Sequence, residues 1–132
     1  MVLSVAAARR SCALALAAVA LAASTACTHG EADARALTQG GDAARGKDLI
    51  RTYGCGSCHT IPRVSGAEST VGPSLQGVAT HAYIAGVLPN TPANMIRWIM
   101  DPPSVDDKTA MPNLHVSAVD ARDIAAYLYT LQ

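Results

Sequence analysis

The central motif of the chain is Cys55-Gly56-Ser57-Cys58-His59. Its two thiols stand three positions apart, and an imidazole directly follows the second. Thiols at this spacing can each add to one of the vinyl groups on neighbouring pyrroles of a porphyrin, and the imidazole is then placed to bind the iron. The motif therefore predicts a covalently bound c-type haem, with Cys55 and Cys58 as attachment points and His59 as one axial ligand.

The same pair of cysteines also occurs in other sites. A thioredoxin-type redox couple, a structural disulfide and half of a zinc site can all contain Cys-x-x-Cys. Zinc needs further ligands, and neither a second Cys-x-x-Cys nor a His-x-x-x-His follows His59. A thioredoxin site lies in a βαβ unit, whereas no strand-like alternation flanks residues 53–60. The sequence favours haem over these alternatives.

The first 26 residues have the features of an export signal. Two arginines supply positive charge, an alanine-rich apolar run follows, and residues 24–26 (Ser-Thr-Ala) form a small-residue cleavage site. Cys27 comes next, and residues 21–27 resemble a bacterial lipoprotein box. We therefore expect a signal peptide over residues 1–26 and a periplasmic protein tethered to a membrane through lipid on Cys27. The alternative is a free cysteine near a cleaved end.

Composition argues against a nucleic-acid partner and for a buried cofactor. Beyond the two arginines of the signal, the chain has 8 basic and 10 acidic residues and no basic tract. We therefore expect no binding to nucleic acid. The chain contains no phenylalanine, so the core of a domain of roughly one hundred residues would be thin. A large buried cofactor would compensate for it.

Proline, glycine and polar residues divide the chain after the signal. Residues 27–40 lack a sustained apolar stripe and are predicted to be a tether, which leads to one folded domain over residues 41–132. Within that domain, prolines and glycines predict two long loops, over residues 60–90 and 101–116. A long loop in so small a domain needs something to hold it, and wrapping a haem edge is such a reason.

Two helices at the ends of this domain are predicted from their apolar faces. The first covers residues 41–53 and has Gly46 on its apolar face. The last begins in a capping box at Ser117. Glycine weakens a helix, so on an apolar face it marks a close crossing, and we expect the two helices to cross at Gly46, against Tyr127 and Leu128. The apolar stripe of the last helix consists of Ala121, Ile124, Ala125, Leu128 and Leu131.

A middle helix is predicted between the two loops. Thr91 is its cap, and Pro92 occupies the first helical position, where a missing N–H costs nothing. The inner face consists of Met95, Trp98 and Ile99. The helix is expected to end before residues 101–103, which read Asp-Pro-Pro.

Five stretches together resemble the bacterial class I cytochromes c over residues 41–132. They are Gly46-Lys47-x-Leu49-Ile50-x-x-Tyr53-Gly54-Cys55-x-x-Cys58-His59, Gly72-Pro73-Ser74-Leu75, Ile96-Arg97-Trp98-Ile99, Ala110-Met111-Pro112-Asn113-Leu114 and residues 120–128. The resemblance implies an all-α, class I cytochrome c fold, in which the N- and C-terminal helices cross and the haem is wrapped by loops and a middle helix. The C-terminal stretch is most similar to cytochrome c domains associated with respiratory terminal oxidases.

The second axial ligand that the resemblance implies is Met111, since the methionine of the Met-Pro step supplies sulfur to the iron in that family. The physical chemistry agrees, because a thioether is a soft, neutral ligand that favours Fe(II). With both axial positions filled, the resemblance implies an electron carrier that is not an enzyme and has no small-molecule substrate. The competing ligands are Met95, Met100, His81 and His115.

Four further residues complete the predicted haem site. By resemblance, the carbonyl of Pro73 accepts a hydrogen bond from the ligating histidine, and Leu75 packs on the porphyrin. Trp98 either contacts a haem propionate or packs in the core. His81 stands where better-known members of the family place an arginine near a propionate. Because histidine titrates near neutral pH, we hypothesise that His81 makes the reduction potential pH-dependent; an exposed loop histidine is the alternative.

The resulting prediction is single-electron transfer by one covalently bound haem c, in a respiratory chain outside the cytoplasmic membrane. The protein would be a donor to, or a subunit of, an oxidase or dehydrogenase complex. Its redox protein partners would meet the rim around residues 55–58 and the loop near Met111 in small, transient contacts. Two alternatives stay open: a haem-based sensor in which Met111 moves away and a gas binds, and a haem-free thiol oxidoreductase that uses Cys55 and Cys58.

Overall fold

The described chain consists of helices joined by long, hydrogen-bonded loops. A computed structural model describes residues 30–132, so the predicted signal peptide and Cys27 lie outside the described residues. Within residues 30–132, no helix combines the length and the apolar composition that a membrane crossing requires. The elements in chain order are α1 (residues 30–37), α2 (Ala43–Thr52), a 3₁₀ turn (Cys55–Ser57), a second 3₁₀ turn (Val78–Thr80), β1 (Tyr83–Ile84), β2 (Leu88–Pro89), α3 (Pro92–Met100), α4 (Pro102–Val105) and α5 (Ala118–Leu128).

Helices α2 and α5 begin at side-chain caps and cross each other. The side chain of Asp42 accepts a hydrogen bond from the backbone N–H of Arg45, and Ser117 accepts one from the N–H of Asp120, as the capping box predicts. A Cβ added to Gly46 would lie 1.9 Å from the carbonyl oxygen of Asp123. The two backbones therefore touch, which confirms the predicted crossing at Gly46.

The position of the crossing on α5 differs from the prediction by about one turn. Gly46 approaches the backbone of Asp123 and Ile124 instead of Tyr127 and Leu128. The reason is steric: close approach of two backbones needs small side chains around the contact, and α5 offers Ala121 and other alanines there, whereas Tyr127 and Leu128 are bulky. The residues of the predicted apolar stripe are nevertheless all buried: Ala121, Ile124, Ala125 and Leu128 lie in α5, and Leu131 follows its end.

Helix α3 completes the core by packing on α5. The side chain of Thr91 accepts a hydrogen bond from the N–H of Asn94, and Pro92 lies in the first turn. The helix buries Met95, Trp98 and Ile99, and it ends before the Asp-Pro-Pro sequence. These bounds and this face agree with the sequence prediction, because the proline signals at both ends of the helix are local ones.

Residues 30–38 correct the prediction of a tether over residues 27–40. Residues 30–37 are helical, and Ala34 and Thr38 are each only 1 % exposed. The Thr38 hydroxyl donates to the carbonyl of Ala34 at 2.7 Å. The large apolar residue, Leu37, is 53 % exposed. The described part of this helix buries small side chains, so its sequence shows no apolar stripe.

Two small elements lie within the predicted loops. Strands β1 and β2 pair antiparallel, with Tyr83 opposite Pro89 and Ile84 opposite Leu88. Helix α4 is a single turn that starts at Pro102. Neither element was predicted, because each is too short to show a period in hydropathy. They do not change the all-α class, which the helices of the described chain confirm.

A polar cluster joins α2 to α5 beside the crossing. The guanidinium of Arg45 forms ion pairs with both Asp120 and Asp123, and the Tyr53 hydroxyl donates to Asp120 at 2.7 Å. Asp123 is buried, and it also accepts from the backbone N–H of Asp42 at 2.9 Å. The carboxylates are therefore paired and hydrogen-bonded, as buried or partly buried charges must be.

Replacing Gly46 with alanine is expected to destabilise the domain, because the added Cβ would overlap the backbone of α5. Overpacking typically costs about 1–3 kcal/mol, and here the obstacle is backbone that cannot rotate away. Thermal unfolding followed by circular dichroism measures the loss. The larger side chain of Gly46→Leu should make the domain fold poorly.

Gly30→Ala is the matched control for this experiment. It adds the same atom to a helical glycine that has nothing within 4 Å of the new position. Residue 30 is the first helical residue of the described chain, and because helix ends fray, this variant should melt near the wild-type temperature. Near-wild-type melting of Gly46→Ala would contradict the crossing.

Asp120→Asn is expected to make the stability of the domain less dependent on pH in the acidic range. In the folded protein the pKa of the Asp120 carboxyl is lowered, first by the hydrogen bond from Tyr53 and then by the one from Arg45. The resulting stabilisation is complete above the unfolded pKa of about 3.9 and is lost as the pH falls through the lower folded pKa. The variant should therefore melt below wild type at pH 7, and the difference should shrink between about pH 5 and pH 2.

Asp48→Asn is the control for the loss of a carboxylate. Asp48 pairs with Arg51 at 2.9 Å within α2, but its side chain is 75 % exposed. Exposed pairs of this kind contribute about 0–1 kcal/mol, so melting curves of this variant should follow wild type at each pH. A difference between Asp120→Asn and wild type that stays constant down to pH 2 would refute the assignment to Asp120.

Candidate haem-binding site

The cysteine motif begins directly where α2 ends. Gly54 adopts a left-handed conformation (φ +70°), which glycine tolerates readily. The chain then forms a single 3₁₀ turn, in which the N–H groups of Cys58 and His59 both donate to the carbonyl of Cys55, at 3.3 and 3.0 Å. Cys55 and Cys58 are free, half-buried thiols. The tight turn thus presents two thiols and an imidazole within five residues.

A neighbouring loop packs against this turn at Gly56. A Cβ on Gly56 would lie 2.8 Å from the Cβ of Ala67, so residue 56 has no room for a side chain. The loop itself is closed by a hydrogen bond from the N–H of Ile61 to the carbonyl of Ala67 at 2.9 Å. The Tyr127 hydroxyl donates to the carbonyl of Pro62 at 2.7 Å. The cysteine motif is therefore supported from α5 through this loop.

The imidazole of His59 is oriented by a backbone carbonyl. Its Nδ1 lies 2.7 Å from the carbonyl oxygen of Pro73, which is the contact that the family resemblance implies. A metal-bound histidine usually donates its second N–H to a fixed acceptor of this kind. The bond engages Nδ1 and leaves Nε2 as the ring nitrogen for a metal. The geometry fits an imidazole that ligates haem iron.

The other predicted site residues lie at different depths. Leu75 and Met111 are partly buried and pack against the core. Trp98 is buried within the core, at 8 % exposure. His81 is exposed, and its carbonyl accepts a hydrogen bond from the side chain of Asn90. The contacts of these four side chains with a haem stay predictions.

Asn90 is a residue that the sequence analysis missed. Its Nδ2 donates to the carbonyls of Val78 (2.9 Å) and His81 (2.8 Å), and its Oδ1 accepts from the Tyr129 hydroxyl at 2.8 Å. Burial raises the pKa of Tyr129 to about 12, so this hydroxyl stays a donor. Asn90 thereby holds the loop that carries His81 against the end of α5. The only signal for this role in the sequence is a polar residue directly before the cap Thr91.

The environment of Cys55 bears on the alternative of a thiol oxidoreductase. Burial raises the pKa of the Cys55 thiol above its ordinary value. The attacking cysteine of a Cys-x-x-Cys enzyme is instead activated by a lowered pKa, because the thiolate is the nucleophile. The local environment therefore argues against this alternative.

The chain belongs to the cytochrome c family, since the sequence model of that family (Cytochrome c) matches residues 43–132. Members are electron carriers that hold a c-type haem covalently and exchange electrons with redox protein partners. Cytochrome c oxidase subunit 2 of Alkalihalophilus pseudofirmus is 31 % identical over 91 residues, which are 68 % of this chain and 26 % of that protein. The chain thus spans about a quarter of that relative's length. No solved structure matches the chain significantly.

Proposed function

We propose that this protein carries single electrons by means of one covalently bound haem c with His59 and Met111 as axial ligands. The observation that carries the proposal is the 2.7 Å contact between His59 Nδ1 and the carbonyl of Pro73, directly after two free thiols. It fixes the imidazole with Nε2 available, as a haem ligand requires. Cys55 and Cys58 are the proposed attachment points.

The side chains around the site suit one-electron transfer better than catalysis. When bound, the haem supplies the Fe(III)/Fe(II) couple. Met111 offers a neutral thioether that would favour the reduced state, and together with His59 it would fill both axial positions. Leu75 is proposed to cover the porphyrin. Trp98 and His81 are proposed to lie near the propionates.

The proposed setting is a respiratory chain outside the cytoplasmic membrane. The named relative is an oxidase subunit, which supports a role as donor to, or subunit of, an oxidase complex; a dehydrogenase complex is the other setting we consider. Redox protein partners are proposed to dock at the rim around residues 55–58 and the loop near Met111. The proposal places the protein in the periplasm, tethered through lipidated Cys27, on the basis of residues 1–27 of the sequence.

Purified protein should be red, with a sharp α-band when reduced, and it should not bind carbon monoxide. Both axial positions would be filled, so the gas has no place on the iron. Met111→Ala should keep the covalent haem, lose the weak sulfur-to-iron charge-transfer band of the oxidised state and bind carbon monoxide. Absorption spectra of both proteins, with and without the gas, measure these properties.

Met95→Ala is the control, because Met95 is a buried methionine of α3 that is only 3 % exposed. Its truncation should lower the free energy of unfolding by about 2–5 kcal/mol. The variant should keep the charge-transfer band and, like the wild type, should not bind carbon monoxide. Binding of carbon monoxide by the wild type would favour a haem-based sensor. A colourless protein with titratable thiols would favour a thiol oxidoreductase.

Mass spectrometry of the mature protein should show a chain that begins at Cys27 and carries lipid. The small-residue site before Cys27 predicts this processing. The matched variant Cys27→Ser should appear in the soluble periplasmic fraction, with unchanged haem spectra. An unmodified chain that begins at Thr28 or later would refute the lipid anchor without affecting the proposal of electron transfer.

A further inference from the structure

We propose that Gly72 is a positioning residue that sets the plane of the His59 imidazole. A Cβ added to Gly72 would lie 2.7 Å from Cε1, 2.9 Å from Nδ1 and 3.3 Å from Nε2 of the ring. The ring therefore rests against the bare Cα of residue 72, on the side that no substituent occupies. Any side chain at this position would have to displace the imidazole or the backbone.

The backbone at Gly72 is not free to retreat. Its own N–H donates to the carbonyl of Cys58 at 2.7 Å, and the next carbonyl along the chain, that of Pro73, accepts the His59 hydrogen bond. Two residues later, the N–H of Leu75 donates to the carbonyl of Thr60 at 2.9 Å. These bonds clamp the segment on both sides of His59. An added Cβ would therefore act mainly on the imidazole.

The backbone conformation does not itself require glycine at this position. Among the described residues, the glycines with positive φ are 40, 54, 66, 77 and 86, and Gly72 is not one of them. A residue that precedes proline adopts extended conformations, which alanine accepts. The contact with the ring is thus the reason for glycine. The sequence alone suggests only a turn before Pro73.

The consequence for the iron follows from the hydrogen bond at Nδ1, and it rests on the proposed role of His59 as axial ligand. A hydrogen bond to a carbonyl makes a ligating imidazole a stronger electron donor, and a stronger donor stabilises Fe(III) relative to Fe(II). Turning or pushing the ring away from Pro73 weakens that bond. A side chain at residue 72 should therefore raise the reduction potential of the haem.

The test compares the haem-loaded wild type with Gly72→Ala. Electron paramagnetic resonance of the oxidised protein and the paramagnetic NMR shifts of the haem methyl groups both report the orientation of an axial imidazole. We expect Gly72→Ala to keep its covalent haem and its indifference to carbon monoxide, while the g-values and methyl shifts change and the reduction potential moves to a more positive value.

Gly77→Ala is the matched control in the same loop. Gly77 has φ +68°, and the nearest atom to an added Cβ is Thr80 Oγ1 at 3.8 Å, so this variant is strained without touching His59. It should lower the melting temperature but keep the wild-type g-values, methyl shifts and potential. A change in Gly77→Ala equal to that in Gly72→Ala would show general destabilisation and overturn the inference.

Two further outcomes separate this inference from the proposed function. Wild-type g-values and potential in Gly72→Ala would overturn the positioning role while leaving ligation by His59 intact. A wild type without a low-spin His/Met spectrum would instead refute the proposed His59/Met111 ligand pair. If Gly72→Ala takes up no haem, the NMR spectrum of the wild type tests the inference instead. A single set of haem methyl resonances in the wild type supports one held ring orientation, and a second set would contradict it.

Discussion

The contact between the backbones of α2 and α5 at Gly46 is the constraint on which the rest of the molecule depends. It brings the two helices so close that a carbonyl of α5 occupies the space of a missing side chain. The polar cluster of Arg45 and Tyr53 with the α5 carboxylates forms beside it. Because the cysteine motif starts two residues after Tyr53, the crossing also determines where the haem-binding turn begins.

Beyond the crossing, specific hydrogen bonds hold the long loops in place of regular structure. Residues 58–60 receive bonds from residues 72 and 75, and Asn90 ties the following loop to the end of α5. The backbone carbonyls of residues 58, 60 and 78 are each paired by one of these bonds and would otherwise need water. The site is therefore built from loops that have no regular secondary structure but are held in one conformation by hydrogen bonds. Functional residues are often carried by loops of this kind on a rigid scaffold.

The sequence predicts those features that depend on neighbouring residues. The caps of α3 and α5, the face of α3 and the importance of Gly46 all follow from local periodicity and start signals. The register of the crossing cannot be predicted in this way, because it depends on the size of side chains on a helix that is distant in sequence. Likewise, burial of Ala34 and the bonds of Asn90 come from tertiary contacts, and a small or polar residue gives no periodic signal of them.

The crossing also bears on how such a domain is combined with other chains. The family match begins at Ala43, three residues before Gly46, and α5 ends at Leu128, four residues after Ile124. The contact at Gly46 thus joins two segments that lie near the two ends of the matched region. In the relative from Alkalihalophilus pseudofirmus the matched region makes up 26 % of a longer polypeptide. A domain that is closed by a contact between its two end segments can be joined to a longer chain without changes to its interior.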